Sequence, residues 1–255
     1  SHQQQVAKED TTMPTESQPA VKLGLILGPG GARAIAHIGF LKNLQEKRIP
    51  VTALVGIEWG AVVGSLYSQK GSANEAEWQL SKMKNERFRD QSEIKDMLSS
   101  VSTYLQSAKA ESGRIPFACP SFNYKKAQIY MLARGRLDQL LPYCAAYPTV
   151  SQAYDWSLAG AREISRAVDY LKSKGVNRVV FVNVLGGLPI QDPIHWHELA
   201  FDMKKKWPGV DQRLDIVIEQ KSIRDYKMQA ELIQSGSEQT ASFVDMLSKV
   251  NWENP

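Results

Sequence analysis

The stretch that most constrains the fold runs from Val51 to Tyr67, VTALVGIEWGAVVGSLY. Its first part is a short apolar run, typical of a buried β-strand, and its last part is a small-residue pattern that favours a helix. Between them, Gly56 and Gly60 flank Glu58 in the spacing of a nucleophile elbow, a sharp turn that exposes its middle residue at a helix N-terminus. The pattern predicts an α/β fold in which Glu58 stands where hydrolases have serine.

Composition and charge limit the classes of protein to which this chain could belong. The chain has 255 residues, 43% of them apolar and 23% charged, which is typical of an ordinary globular protein with a sizeable core. The net charge of +4 is small, and we interpret the one tight basic run, 204–206, as a solvated helix end, so no nucleic-acid partner is expected. No apolar run reaches the roughly 18 residues of a membrane span. The four histidines and two cysteines lack metal-ligand spacing, and no metal or cofactor is expected.

The first 20 residues are polar and without periodicity, and they predict a flexible tail before a single domain at 21–255. Ser1-His2 has the look of a tag remnant, and the missing initiator Met suggests that a natural N-terminus was removed. Such a leader suits an exported protein, either periplasmic or tethered to a membrane, with a cytoplasmic location as the alternative.

A glycine-rich loop follows the first predicted strand, Val21–Leu27, and opens a predicted helix at 34–47. Backbone N–H groups at such a loop, together with the helix dipole, form a cradle for negative charge. The spacing fits neither a P-loop nor a dinucleotide fingerprint. The remaining interpretation is an oxyanion hole in which Gly30 and Gly31 are the N–H donors.

Together, the loop and the elbow resemble the opening of the patatin-like phospholipase family, in the form of a bacterial member. That family has a Gly-Gly-Gly-x-Arg-Gly loop, an Ala-His-x-Gly-x-Leu helix and a Gly-x-Ser-x-Gly-Ala elbow that ends in Gly-x-x-Tyr. The matching residues here are Gly30, Gly31, Arg33, Ala36, His37, Gly39, Leu41, Gly56, Gly60, Ala61, Gly64 and Tyr67. The resemblance implies a three-layer α/β/α sandwich with a mainly parallel central sheet, and it extends over about 22–250.

Several positions depart from the family pattern. Pro29 replaces the first loop glycine and Ala34 the last, Glu58 replaces the catalytic serine, and Trp59 stands where a smaller residue is usual. The resemblance assigns Gly30, Gly31 and Arg33 to the oxyanion-hole loop. It gives His37 a structural role, because the family uses a Ser–Asp dyad without a catalytic histidine.

The second family motif, Asp-Gly-Gly or Asp-Gly-Ala, is assigned to Asp155, with Trp156 and Ser157 in place of the glycines. A helix predicted at 161–174 and an apolar run at 179–184 follow it in the family's order. The rival position, 185–187, has the glycines without the acid.

The rest of the chain adds predicted helices at 73–87 and 92–107, a strand pair at 115–119 and 127–132, and a closing strand and helix within 214–250. His195 and His197 are assigned to a late loop. In an exported protein Cys119 and Cys144 form one disulfide, and otherwise they are buried thiols.

Three functional hypotheses follow. The first is a catalytically inactive patatin-like protein that binds a protein partner or a lipid, with homo-oligomers as a further option, because several catalytic-shell positions have changed together. The aromatics Trp59 and Trp156 then fill the former acyl channel or form a contact surface. The second is a hydrolase of altered chemistry that uses Glu58 and Asp155 as acid and base. The third is a lipid acyl hydrolase with another nucleophile, such as Ser157.

Overall fold

The computed structural model describes residues 20–83, 88 and 91–250. The predicted tail at 1–20 lies outside these residues except for Ala20. Within the described residues, one seven-stranded sheet has the order β4-β3-β2-β1-β6-β7, with β5 paired to β3 beside this path. The strands are β1 (Leu23–Leu27), β2 (Ala53–Gly56), β3 (Phe117–Asn123), β4 (Gln128–Leu132), β5 (Ser157–Ala159), β6 (Arg178–Gly186) and β7 (Gln212–Val217).

Helices occupy most of the chain between the strands. They are α1 (His37–Glu46), α2 (Trp59–Lys70), α3 (Ala73–Ser81), α4 (Ile94–Met97), α5 (Ser102–Gln106), α6 (Leu137–Ala145), α7 (Ile164–Ser173), α8 (Ile194–Met203) and α9 (Gln229–Leu247). Short 3₁₀ turns at Gly31–Ala36 and Ser99–Val101 lead into α1 and α5.

The sheet is mostly parallel, as predicted. Strand β1 pairs in parallel with β2 and β6, and the pairs β2–β3 and β6–β7 are also parallel, whereas β4 and β5 run antiparallel to β3. All five residues of β1 are buried, which is typical of a strand covered on both faces. Helix α1 packs against α9 and α2 against β2, whereas α7 packs on β1 and β2. Because parallel crossovers are right-handed, the reversal of strand order after β3 puts α7 on the face opposite α1.

The topology places the glycine loop and the elbow at one edge of the sheet. Strands β1 and β2 are parallel neighbours, so the loop after β1 and the turn after β2 both leave from the carboxyl ends of their strands. The chain moves from β1 to β2 in one direction and later returns to β6 on the other side of β1. The carboxyl end of β1 is therefore a switch point, where ligand sites of open α/β sheets form.

Local structure differs from the predictions in several places. The helix predicted at 34–47 begins with the 3₁₀ turn, and the one predicted at 92–107 is divided into short pieces. The helix predicted at 73–87 ends at Ser81, and its last four positions lie outside the described residues. The loop predicted around His195 and His197 is wrong, because both residues lie on α8.

A disulfide joins β3 to α6. Cys119 and Cys144 are both buried, their Sγ atoms are 2.18 Å apart and their Cα atoms 6.0 Å. No helix within the described ranges is both long and apolar enough to cross a membrane.

Candidate active site

The elbow keeps the sharp geometry that its glycines predict. Glu58 has φ 58° and ψ −125°, a strained conformation for a residue with a side chain, at the N-cap of α2. A Cβ on Gly60 would lie 2.3 Å from the carbonyl oxygen of Leu27, and one on Gly56 would lie 2.4 Å from Cα of Ala61. Both contacts are with backbone, so a side chain at either position would displace the turn. The elbow therefore persists although its middle residue is not a serine.

The side chain of Glu58 points into the glycine loop. Its Oε1 accepts hydrogen bonds from the backbone N–H of Gly30, at 3.0 Å, and from that of Gly31, at 2.8 Å. Pro29, which precedes these residues, has no N–H to add. Two loop donors converge on one oxygen, which is the arrangement by which proteins hold an oxyanion. The chain's own carboxylate occupies it.

Burial dominates the electrostatics of Glu58. The residue is fully buried, and Oε2 has no hydrogen-bond partner. Burial raises the pKa of Glu58 to about 7, against the opposing effect of the backbone N–H groups of Trp59, Gly30 and Gly31. The carboxyl group thus titrates near neutrality.

Trp59 fills the interior beside the elbow. Its side chain is fully buried, its Nε1–H has no partner, and its ring lies edge-on to Tyr226 with centroids 5.0 Å apart. Tyr226 in turn packs against Phe88 at 5.1 Å. Burial, and then the charge of Glu58, raise the pKa of Tyr226 well above its usual value. Aromatic rings therefore occupy space next to the carboxylate.

The Arg33 side chain forms hydrogen bonds with backbone at the ends of the neighbouring strands. Its guanidinium is buried and donates to the carbonyl oxygens of Val184 (2.9 Å), Gly186 (2.5 Å), Ile218 (2.7 Å) and Lys221 (2.6 Å). Burial lowers the pKa of Arg33 to about 10, while Asp192 and Asp225 act in the other direction. These bonds tie the glycine loop to the carboxyl ends of β6 and β7, and the guanidinium donors are directed at those carbonyls.

His37 is enclosed below the glycine loop. Its Nε2 donates to the carbonyl oxygen of Gly28 at 2.8 Å, and its Nδ1 is buried without a partner. Burial lowers the pKa of His37 to about 4, despite the bond to Gly28. A neutral imidazole that supports the loop agrees with the structural role implied by the family resemblance.

Asp155 lies in a tight turn on the surface. Tyr154 and Ser157 exchange backbone hydrogen bonds of 3.0 and 2.8 Å, and the two residues between them, Asp155 and Trp156, have φ of 47° and 62°. This is a two-residue hairpin turn with positive φ at both central positions. The exposed Asp155 carboxylate accepts a 3.3 Å hydrogen bond from the hydroxyl of Tyr143. The structure thus gives the carboxylates of Glu58 and Asp155 separate hydrogen-bond partners.

Some of the other serines and aromatic residues near these motifs are exposed, and others are buried. Trp156 is exposed and lies edge-on to Tyr124, whereas Ser157 is buried and donates from its hydroxyl to the carbonyl oxygen of Asp155 at 3.3 Å. Two further serines, Ser65 and Ser68, have hydroxyls that are buried within α2 and donate to carbonyls one turn earlier. No group of three or more His, Cys, Asp or Glu placed to hold a metal ion occurs in 20–83, 88 and 91–250.

A further turn, Ala159-Gly160-Ala161, follows β5. Ala159 is buried, and its N–H donates to the carbonyl oxygen of Ala146 at 2.7 Å. Tyr147 follows Ala146, and its pKa is raised by burial and further by the charge of Glu58. Its hydroxyl accepts a 3.5 Å hydrogen bond from Nη1 of Arg162. The turn is thus hydrogen-bonded to the segment that leads into Tyr147. Its Gly-Ala pair lies shortly before α7.

The glycine loop, the elbow and the parallel sheet define a lipase-like α/β site, and comparison with known proteins agrees. The model of the family described as patatin-like phospholipase matches residues 25–161, more than half of the chain. The chain belongs to the patatin-like phospholipase family.

Curated relatives match over short segments. The chain is 49% identical over 49 residues to lysophospholipase NTE1 of Cryptococcus neoformans var. neoformans serotype D, which is 19% of this chain and 3% of that protein. It is 53% identical over 45 residues to the neuropathy target esterase sws of Drosophila melanogaster, 18% of this chain and 3% of that protein. Both relatives are eukaryotic, and the bacterial origin predicted from the sequence stays a prediction.

Among solved structures, VipD from Legionella pneumophila matches with a TM-score of 0.52 and 12% identity, covering 90% of this chain and 68% of that one. At this identity the likeness concerns the fold. It supports the predicted α/β architecture with its mostly parallel sheet.

Proposed function

We propose that this patatin-like protein is catalytically inactive and acts by binding a lipid or a protein partner. One observation carries the proposal: the carboxylate of Glu58 accepts hydrogen bonds from the N–H groups of both Gly30 and Gly31. In a hydrolase of this architecture, donors of this kind stabilise the oxyanion of the reacting acyl group. Here the residue at the nucleophile position has no hydroxyl and holds those donors itself.

The second catalytic position supports the same proposal. We infer that Ala159-Gly160-Ala161, and not the turn at Asp155, corresponds to the family's Asp-Gly-Gly or Asp-Gly-Ala motif. It keeps the Gly-Ala pair, follows β5 and directly precedes α7, and Ala159 is buried beside Ala146. In this assignment an alanine replaces the acid of the dyad. Both members of the dyad are then absent from their family positions, so the elbow has neither a nucleophile nor a base from this motif.

The alternative is a hydrolase that uses Glu58 and Asp155 as acid and base. Paired carboxylates that act on one substrate sit on either side of it, within roughly 10 Å. Glu58 is fully buried behind Trp59 and the glycine loop, whereas Asp155 is exposed in a turn and bonded to Tyr143. These separate surroundings favour the inactive protein.

Incubation with a fluorophosphonate probe is expected to leave the protein unlabelled, because position 58, at the elbow, carries no hydroxyl. The Ser222 hydroxyl donates to the carboxylate of Asp192 at 2.6 Å, but this pair lies outside the elbow. Ser157, the candidate alternative nucleophile, donates to a backbone carbonyl instead. Turnover of acyl esters of short and long chain is expected to equal that of heat-denatured protein. The measurements are in-gel fluorescence and ester hydrolysis, with an active serine esterase as the positive control.

Labelling above the denatured control would contradict the proposal. A Ser157→Ala variant then assigns the nucleophile, because loss of labelling in that variant would identify Ser157. The exposed Ser165→Ala on α7 is the matched control for the substitution itself.

A further inference from the structure

A hairpin projects beyond the carboxyl edge of the sheet. Val55 on β2 is paired with Ala118 on β3, so Gly56 at the end of β2 is level with Cys119. Strand β3 continues to Asn123 and turns back into β4. At about 3.3 Å per residue, the hairpin rises about 13 Å above the start of the elbow.

The tip of this hairpin carries exposed aromatic and basic side chains. Tyr124 is 43% exposed and Trp156, on the adjacent turn, is 50% exposed, with ring centroids 5.6 Å apart. The ammonium group of Lys125 lies 5.0 Å from the centroid of the Trp156 ring, and Lys126 follows it, also exposed. Asp155 is the one exposed acid among residues 123–127 and 154–157. Tip and turn together are therefore basic.

Exposed aliphatic side chains lie at the same edge, on the other side of the Pro148 loop. Ile190 is 87% exposed in the segment after β6, and Ile194 is 76% exposed in the first turn of α8. His195 and Trp196 of that turn both donate to the carbonyl oxygen of Pro148. Pro148 also lines a groove of about 570 Å³ together with Tyr124 and Leu158. The carboxyl ends of β3 and β6 point the same way because both strands run parallel to β1 and β2.

We infer that this edge, defined by Tyr124, Lys125, Lys126, Trp156, Ile190 and Ile194 and called the rim, docks the protein onto an anionic lipid bilayer. Tyrosine and tryptophan have apolar rings and polar tips that suit the headgroup region, and lysines beside them attract anionic headgroups. Aliphatic side chains this exposed gain free energy when they leave water for the acyl boundary. We prefer a membrane to an acidic protein groove as the partner, because the ammonium group of Lys125 lies over the Trp156 ring. Basic and aromatic side chains are placed together in this way where proteins meet the headgroup region of a bilayer.

This inference rests on the proposed function in that it names the lipid partner, but its test is separate. A protein that binds vesicles and hydrolyses nothing satisfies both. Vesicle binding with ester turnover overturns only the proposed function, and inactivity without vesicle binding overturns only the rim.

Flotation of the full chain with vesicles is the decisive experiment. The protein is expected to float with vesicles of equal phosphatidylcholine and phosphatidylglycerol, and much less with phosphatidylcholine alone. Trp156→Ser or Ile190→Ser should weaken partitioning about tenfold each, from the loss of one large apolar side chain. Charge reversal in Lys125→Glu/Lys126→Glu should reduce the preference for the anionic vesicles about tenfold or more.

Matched controls lie at the opposite edge of the sheet. Met246, 49% exposed near the end of α9, is replaced by Ser, and the exposed Lys174, whose ammonium group lies 5.7 Å from the Tyr170 ring centroid, is replaced by Glu. All of these side chains are exposed, and circular dichroism checks that each variant folds. Equal flotation of rim and control variants, or no flotation of the unchanged protein, would overturn the inference. Loss of binding in the rim variants alone supports it.

Discussion

The double variant Glu58→Ser/Ala159→Asp is expected to hydrolyse acyl esters, whereas neither single variant does. Serine at the elbow restores a hydroxyl at the N-terminus of α2 and vacates the N–H groups of Gly30 and Gly31. Aspartate at position 159 supplies the base at the position that we propose for the acid of the family's dyad. Because a positioned base contributes about 10²-fold or more, the double variant should exceed Glu58→Ser by at least that factor. Initial rates on a short-chain ester measure the difference.

Asp155 provides the control that separates the two assignments of the dyad acid. Adding Asp155→Ala to the double variant should leave its activity unchanged, since that carboxylate lies in an exposed turn and contacts Tyr143. If Glu58→Ser alone is active and Asp155→Ala removes the activity, the assignment to Asp155 is correct and that to Ala159 is wrong. If the double variant stays inactive although folded, the changes at Pro29 and Trp59 have closed the site as well.

The change that Glu58→Gln makes in the free energy of unfolding is expected to depend on pH. It should be about 3 kcal/mol more favourable to the folded protein at about pH 8 than at about pH 4.5. Burial raises the pKa of Glu58 to about 7, from about 4.5 in the unfolded chain. Between these values the folded state binds the extra proton, so the contribution of Glu58 is complete below pH 4.5 and is lost as the pH rises to 7. Glutamine does not titrate, and its variant escapes this loss.

His37 contributes with the opposite sign over an overlapping range. Its pKa is lowered to about 4 in the folded protein from 6.5, so stability is lost as the pH falls through this range. Between about pH 4.5 and 6.5 the two effects oppose each other in the unchanged protein. The Glu58→Gln variant should therefore show a stability that rises with pH there.

Urea denaturation at several pH values measures both effects. The control is Glu219→Gln, the same substitution at an exposed glutamate. A free-energy difference for Glu58→Gln that is equal at the two ends of the range would contradict the raised pKa of Glu58.

The parts of the fold with strong local signals could be predicted from sequence. The apolar run of β1 predicts a buried strand, and the two glycines of the elbow predict a sharp turn. Both predictions need little information from the rest of the chain. Helix α8 was missed because Ile194 and Phe201 are apolar on its solvent face, which blurs the amphipathic pattern of Trp196, Leu199 and Met203.

The site was predicted less completely because its residues are brought together by the tertiary fold. The acid of the second motif was predicted at Asp155, whose positive φ in a tight turn has no clear sequence signature beside Trp156. Ala159 has no functional group to attract attention. The hydrogen bonds of Glu58 to Gly30 and Gly31 join residues 27 and 28 positions apart, and only the tertiary fold brings them together.

The bond between the elbow and the glycine loop makes Glu58 a tethered competitor. A free carboxylate must pay the entropy of association before it reaches such donors, whereas Glu58 is held beside them at a high effective concentration by its own backbone. Fatty acids and other anions would have to displace Glu58 before they could accept hydrogen bonds from the same donors. In the proposed function, a lipid would therefore meet this protein outside the glycine loop, at a surface that Glu58 does not occupy.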